Sequence, residues 1–189
     1  MEIAGKNPNN EIIFIADIGA NHDGDLNRAK DLIVRAKEAG AHVAKFQHFN
    51  ADTIVSRQQF DQDNENYKSH QSNWSKSVYD VYKSAAVNLE WTEEIKECCN
   101  NNEIEFMTTP YDEVLTDFID DYVSAFKVGS GDITFHSLLC HIAKKQKPVL
   151  LATGASTLEE VTSAVEEVLK ETEKLVLMQC NTNYTGNID

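Results

Sequence analysis

The sequence predicts an α/β fold of repeating strand-then-helix units, with the strands running parallel. Three observations predict it. Short apolar runs ending in polar residues recur along the chain, stripes of helical period fall between them, and hydrogen-bonding side chains gather where the runs end. At 189 residues, 41% hydrophobic and 25% charged, the chain can bury a sizeable core, which excludes wholesale disorder.

The elements follow in order. A first strand is read at Ile12-Ile13-Phe14-Ile15-Ala16, leading into Asp17-Ile18-Gly19-Ala20-Asn21-His22. Asp25 is the N-cap of a helix striped by Leu26, Ala29, Leu32, Ile33, Ala36 and Ala39, with Gly40 as its stop. His42 to Gln47 is the second strand. Residues 51–90 then break the rhythm: Gln58 to Ser77 is rich in Gln, Asn, Asp and Ser, and Val78 to Val87 reads as a short helix, so an insertion is expected there.

A helix starts at Thr92 or its neighbour and runs through Cys99, before a third strand at Ile104–Thr109. Asp112 or Tyr111 opens a helix to Ile119, and Ala125–Val128 is the fourth strand. His136 or Ser137 opens a helix to Lys144, and Pro148–Thr153 is the fifth strand. Ser156 and Glu159 have the capping-box spacing, ahead of the stripe Val161, Ala164, Val165, Val168 and Leu169. Leu175–Cys180 is the sixth strand.

Six such units leave an open doubly wound sheet or a (β/α)8 (TIM) barrel. The dinucleotide-binding open sheet expects G-x-G-x-x-G at its first turn, and Gly19-Ala20-Asn21-His22-Asp23-Gly24 does not match. Gly129-Ser130-Gly131 lacks the third glycine and follows a later strand. Polar residues instead decorate the C-terminal end of every strand, where barrels assemble their sites, so a barrel is expected.

With 31 acidic against 17 basic residues the formal charge is −14, which argues against nonspecific nucleic-acid or anionic-membrane binding. No run reaches the ~20 apolar residues of a membrane helix. Met1 to Asn7 lacks the basic-then-apolar layout of a secretion signal. Cys98, Cys99, Cys140 and Cys180 have neither zinc nor disulfide-framework spacing, so a reducing cytoplasm is the expected location.

Lys45 and Lys127 each interrupt an apolar strand, where an unpaired ammonium is costly to bury. Either could pair with a core carboxylate. Two of them beside Thr109, Ser130 and Thr153 are better explained by a shared anion site, with hydroxyls supplying hydrogen bonds and lysines supplying charge. Asp17, inside a strand end, fits a functional role or a buried network. His22 could do acid/base work or belong, with Asp23, to a turn. By strand period Gln47 shares the side of Lys45, leaving His48 structural, as are His42, His70, His136 and His141. Tyr184, with an apolar face and a hydroxyl, suits a sugar-like ligand, whereas Cys180 has no neighbouring base. No metal site is derivable from these residues.

Several segments together resemble the sialic acid synthase family. They are Ile15-Ala16-Asp17-Ile18-Gly19-Ala20-Asn21-His22-Asp23-Gly24-Asp25, Lys45-Phe46-Gln47, Thr109-Pro110-Tyr111, Phe126-Lys127-Val128-Gly129-Ser130-Gly131-Asp132, Lys147 to Gly154, and Gln179 to Tyr184. The resemblance implies a (β/α)8 barrel followed by a small antifreeze-like domain. It also implies a reaction that condenses phosphoenolpyruvate with an N-acetylhexosamine aldehyde to a sialic or related nonulosonic acid, releasing phosphate. A divalent ion, Mn or Mg, assists as Lewis acid and template.

Carried over by position, the resemblance implies Asp17, Lys45 and Lys127 as catalytic residues. Lys45, Thr109, Lys127, Ser130 and Thr182 bind phosphoenolpyruvate, and Gln47, Asn73 and Tyr184 contact the sugar. Asp17 stands where many members have Glu, and Ala152 where some have a phosphate-contacting Ser. The family's metal-ligating histidines lie on strands seven and eight. Residues 1–189 are therefore expected to be an N-terminal barrel portion of six strands, inactive alone, from a protein that is a homodimer when complete. The alternatives are another phosphoenolpyruvate- or phosphosugar-using barrel aldolase, and a noncatalytic truncated fragment.

Overall fold

The computed structural model describes residues 1–56 and 75–182. Its strands are β1 (Ile15–Gly19), β2 (Val43–His48), β3 (Glu105–Pro110), β4 (Phe126–Val128), β5 (Val149–Ala152) and β6 (Leu175–Met178). They are hydrogen-bonded in chain order, β1-β2-β3-β4-β5-β6. The paired strands run parallel: Ile15 faces Val43, Thr108 faces Phe126, Phe126 faces Val149 and Val149 faces Leu175. An order without reversal is the winding of a (β/α)8 barrel; a doubly wound sheet changes direction at a switch point.

Chain contacts divide the protein into two compact units, residues 15–106 and residues 1–14 with 107–189. In the first, α1 (Leu26–Glu38) is capped by Asp25, whose carboxylate accepts from the Asn27 and Arg28 N–H groups at 2.8 and 3.2 Å. Ala29, Ile33 and Ala36 form its buried face, and Gly40 takes the positive φ of 88° that a helix stop favours. The core of this unit holds Phe46 and Phe106 with ring centroids 5.9 Å apart, together with Val43, Ile95 and Cys99. Ile95 and Cys99 come from α4 (Thr92–Asn101).

The described residues between β2 and Val87 form a small apolar cluster. Helix α2 (Ala51–Ile54) and helix α3 (Val78–Ala85) bring Ala51, Val55 and Tyr79 together, flanked by Ile54, Val78 and Tyr82. The Tyr79 hydroxyl donates to Asp52 Oδ1 at 2.6 Å.

In the second unit, α5 (Glu113–Ile119), α6 (His136–Ala143) and α7 (Leu158–Leu169) alternate with β4, β5 and β6. All four residues of β5 are buried, the continuous apolar pattern of a strand covered on both faces. Leu138, Leu139, Ile142, Ala164 and Val168 supply the helical side of the core. Among the described residues no helix is long and apolar enough to cross a membrane.

Several boundaries differ from the sequence reading by one or a few residues, and two of the differences have a clear physical cause. β1 begins at Ile15, not Ile12, and Ile12 and Phe14 are 73% and 59% exposed. The pairing explains this, because Val43, the first residue of β2, is the partner of Ile15. The capping box of α7 is one residue later than expected: Thr157 and Glu160 make it, not Ser156 and Glu159. Thr157 Oγ1 accepts from the Glu160 N–H at 3.2 Å, and Glu160 Oε2 accepts from the Thr157 N–H at 2.7 Å. Ser156 instead donates to the Gly154 carbonyl, so its hydroxyl is committed to the loop.

Candidate functional site

In the unit of residues 15–106, Lys45 and Asp17 are register partners on neighbouring strands. The Lys45 Nζ donates to Asp17 Oδ1 at 2.8 Å, with the lysine side chain 7% exposed and the aspartate 64% exposed. Lys45 is thus paired, but with an exposed carboxylate and not with a core one, and Asp17 belongs to no buried network. The carboxylate stands in solvent and only the ammonium is enclosed. Gln47 is on the same side: a Cβ placed on Gly19 would lie 3.4 Å from Asp17 Oδ1 and 3.8 Å from Gln47 Cδ. Gly19, at a φ of 54°, serves both the backbone turn and that close approach.

His22 follows β1 in a loop tied to itself. Asn21 Nδ2 donates to the Ile18 carbonyl at 2.9 Å, Arg28 Nε donates to the Asn21 carbonyl at 2.7 Å, and Asp23 pairs with Arg28 at 3.1 Å. The His22 ring is fully buried, edge-on to Trp91 with centroids 6.1 Å apart. Its Nδ1 accepts from the Gly24 N–H at 3.1 Å, which puts the proton of the neutral ring on Nε2. That Nε2 is buried, and among the described residues it has no hydrogen-bond partner. Burial lowers the His22 pKa, and the nearby Asp23 charge offsets part of the effect. His48 is structural, as expected. It is buried, 3.1 Å from Thr92 Oγ1 and edge-on to Phe106, and burial with the neighbouring His22 pushes its pKa down to about 4.

In the unit of residues 107–189, Thr109 is buried near the end of β3. Lys127 is the half-buried central residue of β4, and its ammonium donates to the Val128 carbonyl at 2.8 Å. Residues Ser130–Asp132 form a tight 3-10 turn. Ser130 Oγ accepts from the Gly154 N–H at 3.0 Å, and Thr182 places its methyl against the same glycine. Ser130 and Thr182, from different parts of the sequence, thus converge on one backbone position.

Thr153 does not join them as a donor. Its hydroxyl and its N–H both donate to the Met178 carbonyl, at 3.2 and 3.0 Å, so its hydrogen is committed to β6. Asp132 is the residue that the strand-and-lysine pattern passed over. Burial pushes its carboxyl up to about 6, against the opposing pull of Lys127. Its sequence signal is its place at the end of the 126–132 segment, two residues after Ser130, whereas its burial comes from tertiary packing.

Asn73 and Tyr184, the expected sugar contacts, lie outside the described residues, as does His70. His141 Nε2 pairs with Asp117 Oδ1 at 2.7 Å on the surface. Among the described residues all four cysteines are free, and no three His, Cys, Asp or Glu side chains gather as a metal ion requires. The residues described here do not fit the divalent ion that the resemblance implies.

Residues 32–189 match the model of the NeuB family. The chain is 36% identical over 180 residues to the N,N'-diacetyllegionaminic acid synthase of Legionella pneumophila, covering 92% of this chain and 50% of that protein. It is 30% identical to a pseudaminic acid synthase of Campylobacter jejuni, covering 100% and 55%. Its fold is similar to the crystal structure of N-acetylneuraminic acid synthetase from Leptospira borgpetersenii in complex with citrate. There the TM-score is 0.80 at 28% identity, covering 95% of this chain and 57% of that one. The chain thus spans about half the length of the curated relatives it matches. These likenesses agree with the motifs at Asp17, Lys45, Lys127 and Gln179: the chain belongs to the NeuB family, that of the sialic acid synthases.

Proposed function

We propose that this chain carries the phosphoenolpyruvate-binding residues of a synthase that makes a sialic or related nonulosonic acid. The observation that carries the reading is the placement of Lys45: an enclosed ammonium whose partner, Asp17, is itself exposed to solvent. One of its three N–H groups is on Asp17, and an incoming phosphate or carboxylate oxygen is a natural partner for another. Lys127 offers the same charge in the other unit, beside the Ser130 turn. The names of the relatives support the product class.

In this reading C3 of phosphoenolpyruvate attacks the aldehyde carbon of an N-acetylated sugar. Water adds at C2, and the bond between C2 and the phosphate oxygen breaks to release phosphate. Lys45 and Lys127 hold the negative charge of substrate and leaving phosphate, while Thr109, Ser130 and Thr182 supply hydrogen bonds. Asp17 orients the Lys45 ammonium and is the carboxylate available to orient water. Gln47, with Asn73 and Tyr184, is assigned to the sugar. No step runs through the divalent ion, since the described residues do not gather ligands for it. Residues 1–189 then act as an N-terminal barrel portion within a longer cytoplasmic, homodimeric enzyme.

Titration calorimetry with phosphoenolpyruvate tests the reading. The chain is expected to bind one equivalent, and Lys127→Ala to weaken binding about tenfold or more, since a hydrogen bond to a charged group contributes roughly 1.5–3 kcal/mol. No binding by the unsubstituted chain, or undiminished binding by Lys127→Ala, overturns it.

A further inference from the structure

We infer that Gly154 is a positioning residue that turns the Ser130 hydroxyl toward an anionic substrate oxygen. Its N–H donates to Ser130 Oγ at 3.0 Å. A serine hydroxyl has one hydrogen to give and two lone pairs to receive with. With a lone pair held by Gly154, the hydrogen is directed elsewhere, and among the described residues no acceptor takes it. Thr153, one residue earlier, has the opposite assignment, because its hydrogen is bound to the Met178 carbonyl. Of these two hydroxyls, Ser130 is the one left able to donate to a phosphate or carboxylate.

The identity of residue 154 follows from space and not from backbone conformation. Gly154 is not among the residues of positive φ, so an alanine could adopt its backbone. A Cβ there, however, would lie 2.6 Å from the Thr182 methyl and 3.0 Å from both the Cys180 carbonyl and Ser130 Oγ. Any side chain at 154 would push apart the two groups that give and receive at this point. Glycine lets the backbone N–H reach Ser130 and lets Thr182 close over it.

This role rests on the reading of Ser130 and Thr182 as phosphoenolpyruvate binders, and calorimetry on the full chain separates the two. If the unsubstituted chain does not bind phosphoenolpyruvate, that reading fails and this inference falls with it. If it binds and Gly154→Ala binds equally well, only the role of Gly154 is overturned. The expected result is a loss of about tenfold in Gly154→Ala, the scale of one charge-assisted hydrogen bond. Ser130→Ala should lose a similar factor, and the double variant no more than the larger single loss, since both act through one hydroxyl. Losses that multiply in the double variant overturn the inference.

Combining Gly154→Ala with Thr182→Ser deletes the methyl that meets the new Cβ while keeping the hydroxyl. Affinity should recover in part, because the clash with the methyl is relieved while the Cβ still lies 3.0 Å from the Cys180 carbonyl and Ser130 Oγ; no recovery overturns the part given to Thr182. Should Gly154→Ala not fold, amide exchange decides without it. The Gly154 N–H should exchange slowly in the unsubstituted chain and faster in Ser130→Ala. Equal exchange in the two overturns the inference.

Discussion

Asp17 and Lys45 face each other as register partners on adjacent parallel strands, and their ion pair joins an exposed carboxylate to a buried ammonium. The asymmetry sets what each substitution does. Removing Asp17 leaves an enclosed ammonium without its ion-pair partner, whereas removing Lys45 leaves a carboxylate that water already solvates.

Asp17→Ala is therefore expected to destabilise the fold by about 1–3 kcal/mol, less than the ~3–5 of a fully buried broken pair because one partner is exposed. Lys45→Met, which keeps the apolar stem without the charge, should be close to neutral in urea unfolding yet lose phosphoenolpyruvate binding. A large loss of stability in Lys45→Met with binding retained would assign the lysine to structure alone.

Asp132 has a pH signature of the opposite kind to an ordinary ion-paired carboxylate. Its folded pKa, about 6, lies above the reference 3.8. Between these values the folded chain holds a proton that the unfolded chain has released, so stability falls as pH rises from about 4 to 6 and then levels. Asp132→Asn should remove that slope. Its gain over the unsubstituted chain at pH 8 is up to about 3 kcal/mol, vanishing below pH 4. Parallel unfolding curves at the two pH values would refute the burial of this carboxyl.

His48 works in the other direction. Its folded pKa of about 4 lies below the reference 6.5, and that of His22 is lowered too. The stability this represents is present above pH 6.5 and is lost as pH falls toward 4, because the unfolded imidazole takes a proton that the buried ring refuses. His48→Gln should flatten the acid limb of the stability profile measured by urea unfolding. A limb unchanged by the substitution would show that other groups set it.

The cap of α7 separates two one-residue registers. Thr157→Ala should cost about 1 kcal/mol by removing the side-chain acceptor for the Glu160 N–H, and Ser156→Ala should cost much less. Neither is expected to change phosphoenolpyruvate affinity. The reverse ranking would restore the register that the sequence alone suggests.

Phosphate release assays address turnover. The 189-residue chain is expected to bind phosphoenolpyruvate but not consume it with an N-acetylated sugar, with or without Mn, since no ligand set is gathered among its described residues. Metal-dependent phosphate release from the purified chain would show that ligands outside those residues suffice.

The order of strands and helices, the Asp25 cap, the Gly40 stop and the motif lysines were all legible in the sequence. Each depends on local periodicity, on backbone preference within a few residues, or on a family motif. For the helix to Ile119 the structure chose Asp112 over Tyr111 as the cap. The tertiary structure alone decided where β1 begins, because pairing with Val43 determines which of Ile12 to Ile15 is strand. It alone showed that Lys45 is enclosed and Asp17 is not, since burial is a sum over neighbours distant in sequence. It gave the Ser130 and Thr153 hydroxyls opposite duties through the Gly154 N–H and the Met178 carbonyl. Residue types say which groups can donate and accept; the packing of strands and loops decides which of them are already taken.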